Sequence, residues 1–410
     1  MSGALAHSPS LSGRQDRLAE HLTSVAELAA EFASVFDAGQ EARAAGLSHD
    51  FGKYGPPFVE RLKGKASKVD HWSTGAWVAL QLLKKEGIAA ALAIQGHHIG
   101  LQQASASALR ELDPRWLAKN HPLGLRLSDP DVEALMSEFA SDGLKMPTLE
   151  RSIYEWSPRR NLADMLDVRM LFSALVDADF LETEAHFQAL TPDAKNYRQR
   201  GPSLEPSRAL AALLTHIGRL AQGSSAAQSV DALRADLLTS CLDAANQGPG
   251  LFTLTAPTGA GKTLSMMAFA LKHAAQHNLR RVVAVIPYLS IIDQSVKAYR
   301  EAFREMGGSL WLRRYVLEHH SLAGLGRVEG SLTAKDAAMN QERLLAENWD
   351  APIVVTTSVQ FLESLFANRP AACRKLHRLA RSVILFDEVQ TLPLRLIVPT
   401  LGTLSRLSER

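Results

Sequence analysis

The stretch APTGAGKTL, from Ala256 to Leu264, constrains this chain more than any other. It follows the apolar run Leu251-Phe252-Thr253-Leu254 and leads into a helical apolar pattern from Leu264 to Leu271. A strand, then a glycine-rich loop, then a helix is the setting that a phosphate-binding loop requires. Gly259 and Gly261 allow backbone N–H groups to turn toward phosphate oxygens, and the helix N-terminus adds a favourable dipole. Lys262 is expected to reach the β- and γ-phosphates, and Thr263 to hold magnesium. A chain with this stretch binds a nucleoside triphosphate or descends from chains that do.

With 410 residues there is room for two or three domains. A hydrophobic content of 46% and a charged content of 21% belong to globular rather than disordered chains. The formal net charge of +2 excludes a strong global field, so nucleic acid would have to be held by local basic patches. Cys241 and Cys373 lie far apart in sequence, which argues against a disulfide framework or a cysteine metal site. The N-terminus, MSGALAHSPS, lacks a basic region followed by an apolar core, and no apolar run approaches the ~20 residues that span a bilayer. The expectation is a soluble, cytoplasmic protein, monomeric and without membrane contact.

The texture of the chain changes near its middle. Leu18, Leu22, Val25, Leu28, Ala29 and Phe32 repeat at helical spacing, as do Trp77, Leu80, Leu83 and the run Ile88 to Ile94. Residues 142–160 read as a loop, and a helix is expected over Leu162 to Glu184. Residues 191–207 are polar with three prolines, and Gly223-Ser224-Ser225 adds a second flexible point. The domain boundary is expected between them, giving a first domain over 1–222 and a second over 226–410. In the second, Arg281 to Ile286, Ala351 to Thr356 and Ser382 to Phe386 are short β-rich runs separated by helical patterns. The predicted fold is therefore an all-α domain followed by an α/β domain, a parallel sheet with helices on both faces.

The first part carries many of the chain's fourteen histidines in suggestive places. His49 and Asp50 are adjacent and precede Phe51-Gly52-Lys53; His97 and His98 are adjacent at the end of an apolar helix. His71 opens a helix, His21 lies on the apolar face of the first, and Asp177 and Asp179 lie on the last. Neighbouring residues on a helix point ~100° apart, so a doublet aims two ligands into one cavity. Imidazoles with carboxylates suit manganese, iron, cobalt, nickel or zinc. Two such ions about 4 Å apart stabilise the attacking and leaving oxygens of a phosphodiester. Lys53 is then placed to contact the substrate phosphate. Periodicity alone leaves Asp177 and Asp179 both open.

The glycine-rich loop has company downstream. Ser382 to Phe386 is a buried-strand pattern ending in Asp387-Glu388, where Asp387 would hold magnesium and Glu388 would orient the attacking water. Pro287 and Tyr288, and Thr356, Thr357 and Gln360, follow two other strands and are candidates for gripping nucleic-acid phosphates without reading bases. His319-His320 has no acidic or cysteine partner at ligand spacing and reads as structural. The basic runs Arg280-Arg281 and Arg313-Arg314 read as solvated faces.

The order of the histidines and aspartates resembles the HD superfamily of metal-dependent phosphohydrolases. Joined to superfamily 2 helicase motifs, it resembles the CRISPR-associated helicase–nucleases of type I interference systems. The phrases LFTLTAPTGAGKTLSMMAFALKHA, VIPYLSIIDQ, ENWDAPIVVTTSVQFLESLFA and CRKLHRLARSVILFDEVQTLP look most like the I-C subtype. The resemblance implies a motor that loads on a displaced strand opened by an RNA-guided surveillance complex and feeds single-stranded DNA to the HD nuclease. It implies two metal ions held by His21, His49, Asp50, His71, His97, His98 and Asp179, the last favoured by the Ala178-Asp179-Phe180 pattern. It implies ATP and magnesium bound by Thr258, Gly259, Ala260, Gly261, Lys262, Thr263, Asp387 and Glu388. Asp50, Lys53 and Glu388 are the residues expected to act in catalysis. The chain ends at Arg410, before the family's second RecA-like lobe, whose arginine finger is worth about 10³–10⁵ in rate. This chain alone is expected neither to turn over ATP appreciably nor to unwind duplex. Two other readings compete: a small-molecule nucleotide phosphohydrolase, and a non-catalytic remnant that binds nucleic acid or a partner.

Overall fold

Small residues let the helices of the first unit come unusually close, and that closeness assembles the histidines. The structure, a computed structural model, describes residues 3–153, 164–320 and 342–409. A stripe of Leu18, Leu22, Val25, Ala29 and Phe32 buries one side of helix α1 (Leu18–Ala33). Helix α2 (Gly39–Ser48), with Ala42, Ala45 and Gly46 buried, lies against it. A Cβ on Gly46 would sit 2.4 Å from the Ala26 Cα, so only glycine permits this approach.

Helix α3 (Pro56–Leu62) follows, then α4 (Ser73–Leu83) and α5 (Ile88–Ile99). Five residues in succession from Ala89 to Ala93 are buried on α5, the mark of a helix enclosed on most sides. Short helices α6 (Ala106–Arg110), α7 (Pro114–Asn120) and α8 (Val132–Ser141) cover one flank. The long helix α9 (Asp164–Phe187) packs on α1 and α5. Two small ribbons complete the unit. Strands β1 (Leu5–His7) and β2 (Asp16–Arg17) pair antiparallel, and β3 (Val69–Asp70) and β4 (Arg126–Leu127) pair parallel.

The loop expected over 142–160 has neither helix nor strand at 142–153, while 154–160 lie outside the described residues. The helix expected from Leu162 runs from Asp164, its first expected residues also lying outside them, and extends past Glu184 to Phe187.

The second unit is built on four parallel strands in the order β6-β7-β5-β8, with β5 (Arg281–Ile286), β6 (Val316–His319), β7 (Ile353–Thr357) and β8 (Ser382–Phe386). All six residues of β5 are buried, as a central parallel strand requires. Helices α10 (Pro206–Gln222), α11 (Gln228–Ala244), α12 (Lys262–His277), α13 (Leu289–Ala302) and α14 (Ser309–Tyr315) surround it. The sequence did not mark β6, because its four residues end in two polar ones.

Three expectations change here. The run Leu251 to Leu254 is not a strand but an irregular segment with Leu251, Phe252 and Leu254 exposed. Gly248-Pro249-Gly250 stands directly before it, and proline and glycine both weaken strand pairing. The division also falls earlier than 222–226: the compact units are Met1–Gln199 with Ala367–His377, and Arg200–Phe366 with Arg378–Arg410. Helix α10 therefore goes with the second unit, where Ala209 and Leu213 join the core formed by Met267, Leu271 and Val282. Finally, Arg281 is buried rather than solvated, donating to the carbonyls of Ala351 at 2.7 Å and Arg378 at 2.8 Å.

A Cβ on Gly75, in the first turn of α4, would lie 1.8 Å from the Ser48 carbonyl oxygen. Gly75→Ala is expected to lower stability by about 1–3 kcal/mol through overpacking, read by chemical denaturation. A variant as stable as the parent would contradict this account of the α2–α4 contact.

Candidate active site

Asp50 follows the last turn of α2 and is 2% exposed, so its charge must be answered from within the protein. Its two oxygens face different partners. Oδ2 lies 3.3 Å from His21 Nε2, 3.2 Å from His49 Nε2 and 2.6 Å from Lys53 Nζ. Oδ1 lies 3.3 Å from His71 Nε2, 3.5 Å from His97 Nε2 and 3.9 Å from His98 Nε2. Asp179 Oδ1, from α9, stands 3.6 Å from both His21 Nε2 and His49 Nε2. Two clusters of nitrogen and oxygen donors thus share one carboxylate.

The rings are turned so that Nε2 points inward. His49 Nδ1–H donates to the Gly46 carbonyl at 2.8 Å, and His97 Nδ1–H to the Ile94 carbonyl at 2.6 Å. His71 Nδ1 lies 3.3 Å from the Val69 carbonyl, and His21 Nδ1 pairs with Glu182. A proton held on Nδ1 leaves the Nε2 lone pair free, as in imidazoles that ligate metals. Asp50 Oδ1 and His97 Nε2 are buried and make no hydrogen bond. Both belong to the second cluster, where one divalent cation would satisfy them, and the donor atoms of His21, His49, Asp50 and Asp179 lie within 4.8 Å of one another, so the residues present fit a second ion as well.

Protonation follows from the same crowding. Burial works against a charged His49, but Asp50 and Asp179 overcome it and push its pKa up to about 10. His97 is pushed down to about 4 by burial and by His98, and burial also holds His71 well below the ordinary histidine range. Against its burial, Asp50 is kept well below the usual carboxylate range by Lys53 and His49.

Several residues around this centre carried no sequence signal strong enough to single them out. Glu182 holds His21 from one turn beyond Asp179, and Lys195 bridges Glu182 and Asp16. The three-residue step from Asp179 to Glu182 on one helix was the clue available. Asp70 accepts from the backbone N–H groups of Trp72 and Ser73, each at 3.0 Å, and from His121 Nε2 at 2.8 Å, which fixes the chain on both sides of His71. Asp177, left open beside Asp179, is instead paired with Arg374 Nε at 2.9 Å.

In the second unit Gly259 and Gly261 take φ values of +84° and +82°, the left-handed region that glycine favours. Gly261 directly precedes α12, so Lys262 and Thr263 open that helix. Lys262 Nζ lies 3.4 Å from Glu388 Oε1. A small cavity beside the loop is lined by Thr263, Ile286, Ser295, Tyr299 and Asp387 among others. Ala260 is buried against Leu237 and Cys241 of α11, while Thr258 is exposed.

Pro287 and Tyr288 follow β5, and Thr357 ends β7 in register with Ile286, so these candidates share the C-terminal edge of the sheet. Tyr288 is exposed. Thr356 is not available to a phosphate: it is fully buried and its hydroxyl donates to the His319 carbonyl at 2.8 Å. The Thr357 hydroxyl accepts from the Gln360 N–H at 3.1 Å, and the Gln360 amide donates to Glu363 at 2.8 Å. The pair His319-His320 does have acidic neighbours, since Asp293, Glu318 and His320 have donor atoms within 4.8 Å of one another. The sequence hid this because Asp293 comes from α13.

Residues 18–136 match the HD domain family, and residues 224–392 match the family described as type III restriction enzyme, res subunit. The CRISPR-associated nuclease/helicase Cas3 of Haloferax volcanii is 26% identical over 406 residues, covering 84% of this chain and 41% of that protein. The T. fusca Cas3-ATP crystal structure aligns at a TM-score of 0.61 and 19% identity, over 99% of this chain and 49% of that one. The T. fusca Cas3-ADP structure aligns at 0.60 with the same coverage. The chain thus spans about half the length of the relatives it matches or less, and in both its parts it is similar to Cas3 nuclease/helicases.

His49, charged at neutral pH, must lose its proton to ligate a metal, whereas His71 and His97 are already neutral. Manganese binding is expected to release about one proton from this group near pH 7 and to tighten as pH rises. Calorimetry in two buffers of different ionisation enthalpy measures this; pH-independent binding without proton release would contradict it.

Proposed function

We propose that the first unit is a two-metal nuclease that cuts single-stranded DNA, and that the second is an ATP-binding helicase lobe working with it in CRISPR interference. The observation that carries this reading is the sharing of Asp50 between two imidazole clusters. His21, His49, Asp50 and Asp179 would hold one ion, and Asp50, His71, His97 and His98 the other. Two ions so held would supply Lewis-acid activation of a phosphodiester and would lower the pKa of water toward neutrality. The imidazole-rich donor set favours manganese, iron, cobalt, nickel or zinc over magnesium.

The protein's own groups set the reaction up. Asp50 fixes the spacing of the two clusters, because both of its oxygens are engaged. Lys53 is buried with its ammonium beside Asp50, which puts a positive charge where a phosphate oxygen would come to rest. His98 is the most exposed of the seven proposed ligands, with a side chain 38% accessible, and marks the side from which a strand would reach the centre.

In the second unit the glycine loop and Lys262 would cradle the β- and γ-phosphates of ATP. Thr263 and Asp387 line one cavity and would hold magnesium there, with Glu388 orienting water. Tyr288 and Gln360, at the sheet's C-terminal edge, would meet the nucleic-acid backbone. The partner in this reading is an RNA-guided surveillance complex that exposes the strand, the chain acting as a monomer in the cytoplasm. Among the described residues no helix is long and apolar enough to cross a membrane.

The test is cleavage of circular single-stranded DNA by metal-stripped protein, with manganese, nickel, cobalt or magnesium returned in turn. Cutting is expected with a transition metal. In Asp50→Ala it should fall by more than about 100-fold, beyond the cost of losing an outer-shell partner. Phosphate release from free nucleotides without DNA cleavage would favour a small-molecule phosphohydrolase instead. Binding without cleavage under every metal would favour a non-catalytic role.

A further inference from the structure

Residues 367–377 lie in sequence between β7 and β8 of the second unit, yet they belong to the first. Within it they are fastened to α9 by buried and partly buried polar contacts. Arg169, on α9, donates to the Ala367 carbonyl, and Ser173 donates to the Cys373 carbonyl. The Ser173 hydroxyl also meets His377 Nδ1 at 2.9 Å and accepts from the His377 N–H at 3.0 Å. Arg374 Nε lies 2.9 Å from Asp177 Oδ1, both side chains being almost wholly buried, and the guanidinium carbon sits 4.8 Å from the centre of the Phe180 ring. His377 stacks on Phe32 of α1 at 5.0 Å.

These contacts fall on one face of α9. Ser173, Asp177 and Phe180 are spaced by four and three residues, whereas Asp179 is two residues from Asp177 and points about 200° around the helix. The face that holds residues 367–377 and the face that offers Asp179 and Glu182 to the metal centre are therefore opposite sides of one turn. Any rotation of α9 about its axis would move Asp179 away from His21 and His49. The same segment reaches α5: the Asn368 carbonyl accepts from the Leu101 N–H at 3.0 Å, three residues beyond His98. A Cβ on Gly100 would lie 2.7 Å from that carbonyl.

We infer that Arg374 is a positioning residue of the metal centre, and that residues 367–377 form a strap that sets the rotation of α9 and so completes the Asp179 cluster. The inference rests on the two-metal reading of the first unit. It means that the nuclease unit takes part of its framework from sequence belonging to the helicase part of the chain. Removing Arg374 takes the guanidinium from buried Asp177, leaving the His377 Nε2 3.7 Å from its other oxygen, and so favours local repacking of this turn.

The experiment is manganese stoichiometry on the full 410-residue chain, with electron paramagnetic resonance to detect coupling between two ions. The parent is expected to bind two ions and show coupling. Arg374→Ala is expected to unfold cooperatively but bind one ion, held by Asp50, His71, His97 and His98, with the coupling lost. Arg374→Lys keeps a cation but cannot both reach Asp177 and lie over Phe180; it is expected to fold and to weaken one ion by roughly tenfold. Two ions bound with parent affinity by Arg374→Lys would overturn the inference, whether or not Arg374→Ala folds. Equal weakening of both ions in that variant would also overturn it, by reducing the strap to a general scaffold. A parent chain that binds fewer than two ions would instead overturn the two-metal reading on which the inference stands.

Discussion

A carboxylate buried with five imidazoles and an ammonium around it is the interaction on which the first unit turns. Asp50 cannot be solvated where it sits, so its charge has to be balanced by Lys53 and by whatever the histidines hold. The histidines in turn are fixed through their outer nitrogens, to backbone carbonyls for His49 and His97 and to Glu182 for His21. Each of these three rings therefore turns Nε2 toward the shared carboxylate, His97 as a neutral imidazole and His49 as a charged one that a cation would have to deprotonate. The helices around the cluster are packed closely at Gly46 and Gly75, which holds the donors together.

That closeness comes from residues with little side chain. Gly46 brings α2 against Ala26 of α1, and Gly75 brings the start of α4 against Ser48. Alanines line α2 and α5 where larger residues would hold the helices apart. The cost of such a core is little apolar area per residue, and the long helix α9, buried from Leu166 to Ala178 at most positions, compensates by filling the middle of the unit. In the second unit the logic is that of parallel sheets: β5 is buried along its whole length, and Thr263, from the start of a helix, and Asp387, from the end of a strand, line one cavity.

The sequence exposed what depends on neighbours in the chain. His49-Asp50 and His97-His98 could be noticed because they fall in order with His21, His71 and a late aspartate, and the glycine loop because its spacing has one mechanical purpose. The strands Arg281 to Ile286 and Ser382 to Phe386 were legible as short β-rich runs, and both are strands of the sheet. Leu251 to Leu254 looked the same, and periodicity in four residues does not distinguish a strand from an exposed apolar segment. What depends on partners far away in sequence was hidden. Thr356 looked like a free hydroxyl until β6 supplied its acceptor, α10 looked like part of the helical domain until α12 supplied its core, and Arg374 looked like one basic residue among many.

The central claim is that one carboxylate holds two ions. Anomalous diffraction from crystals soaked in manganese addresses it without reference to activity. Two peaks about 4 Å apart on either side of the Asp50 carboxylate, one near Asp179 and one near His97, are the result this account requires. A single peak, or peaks that do not touch Asp50, would contradict it.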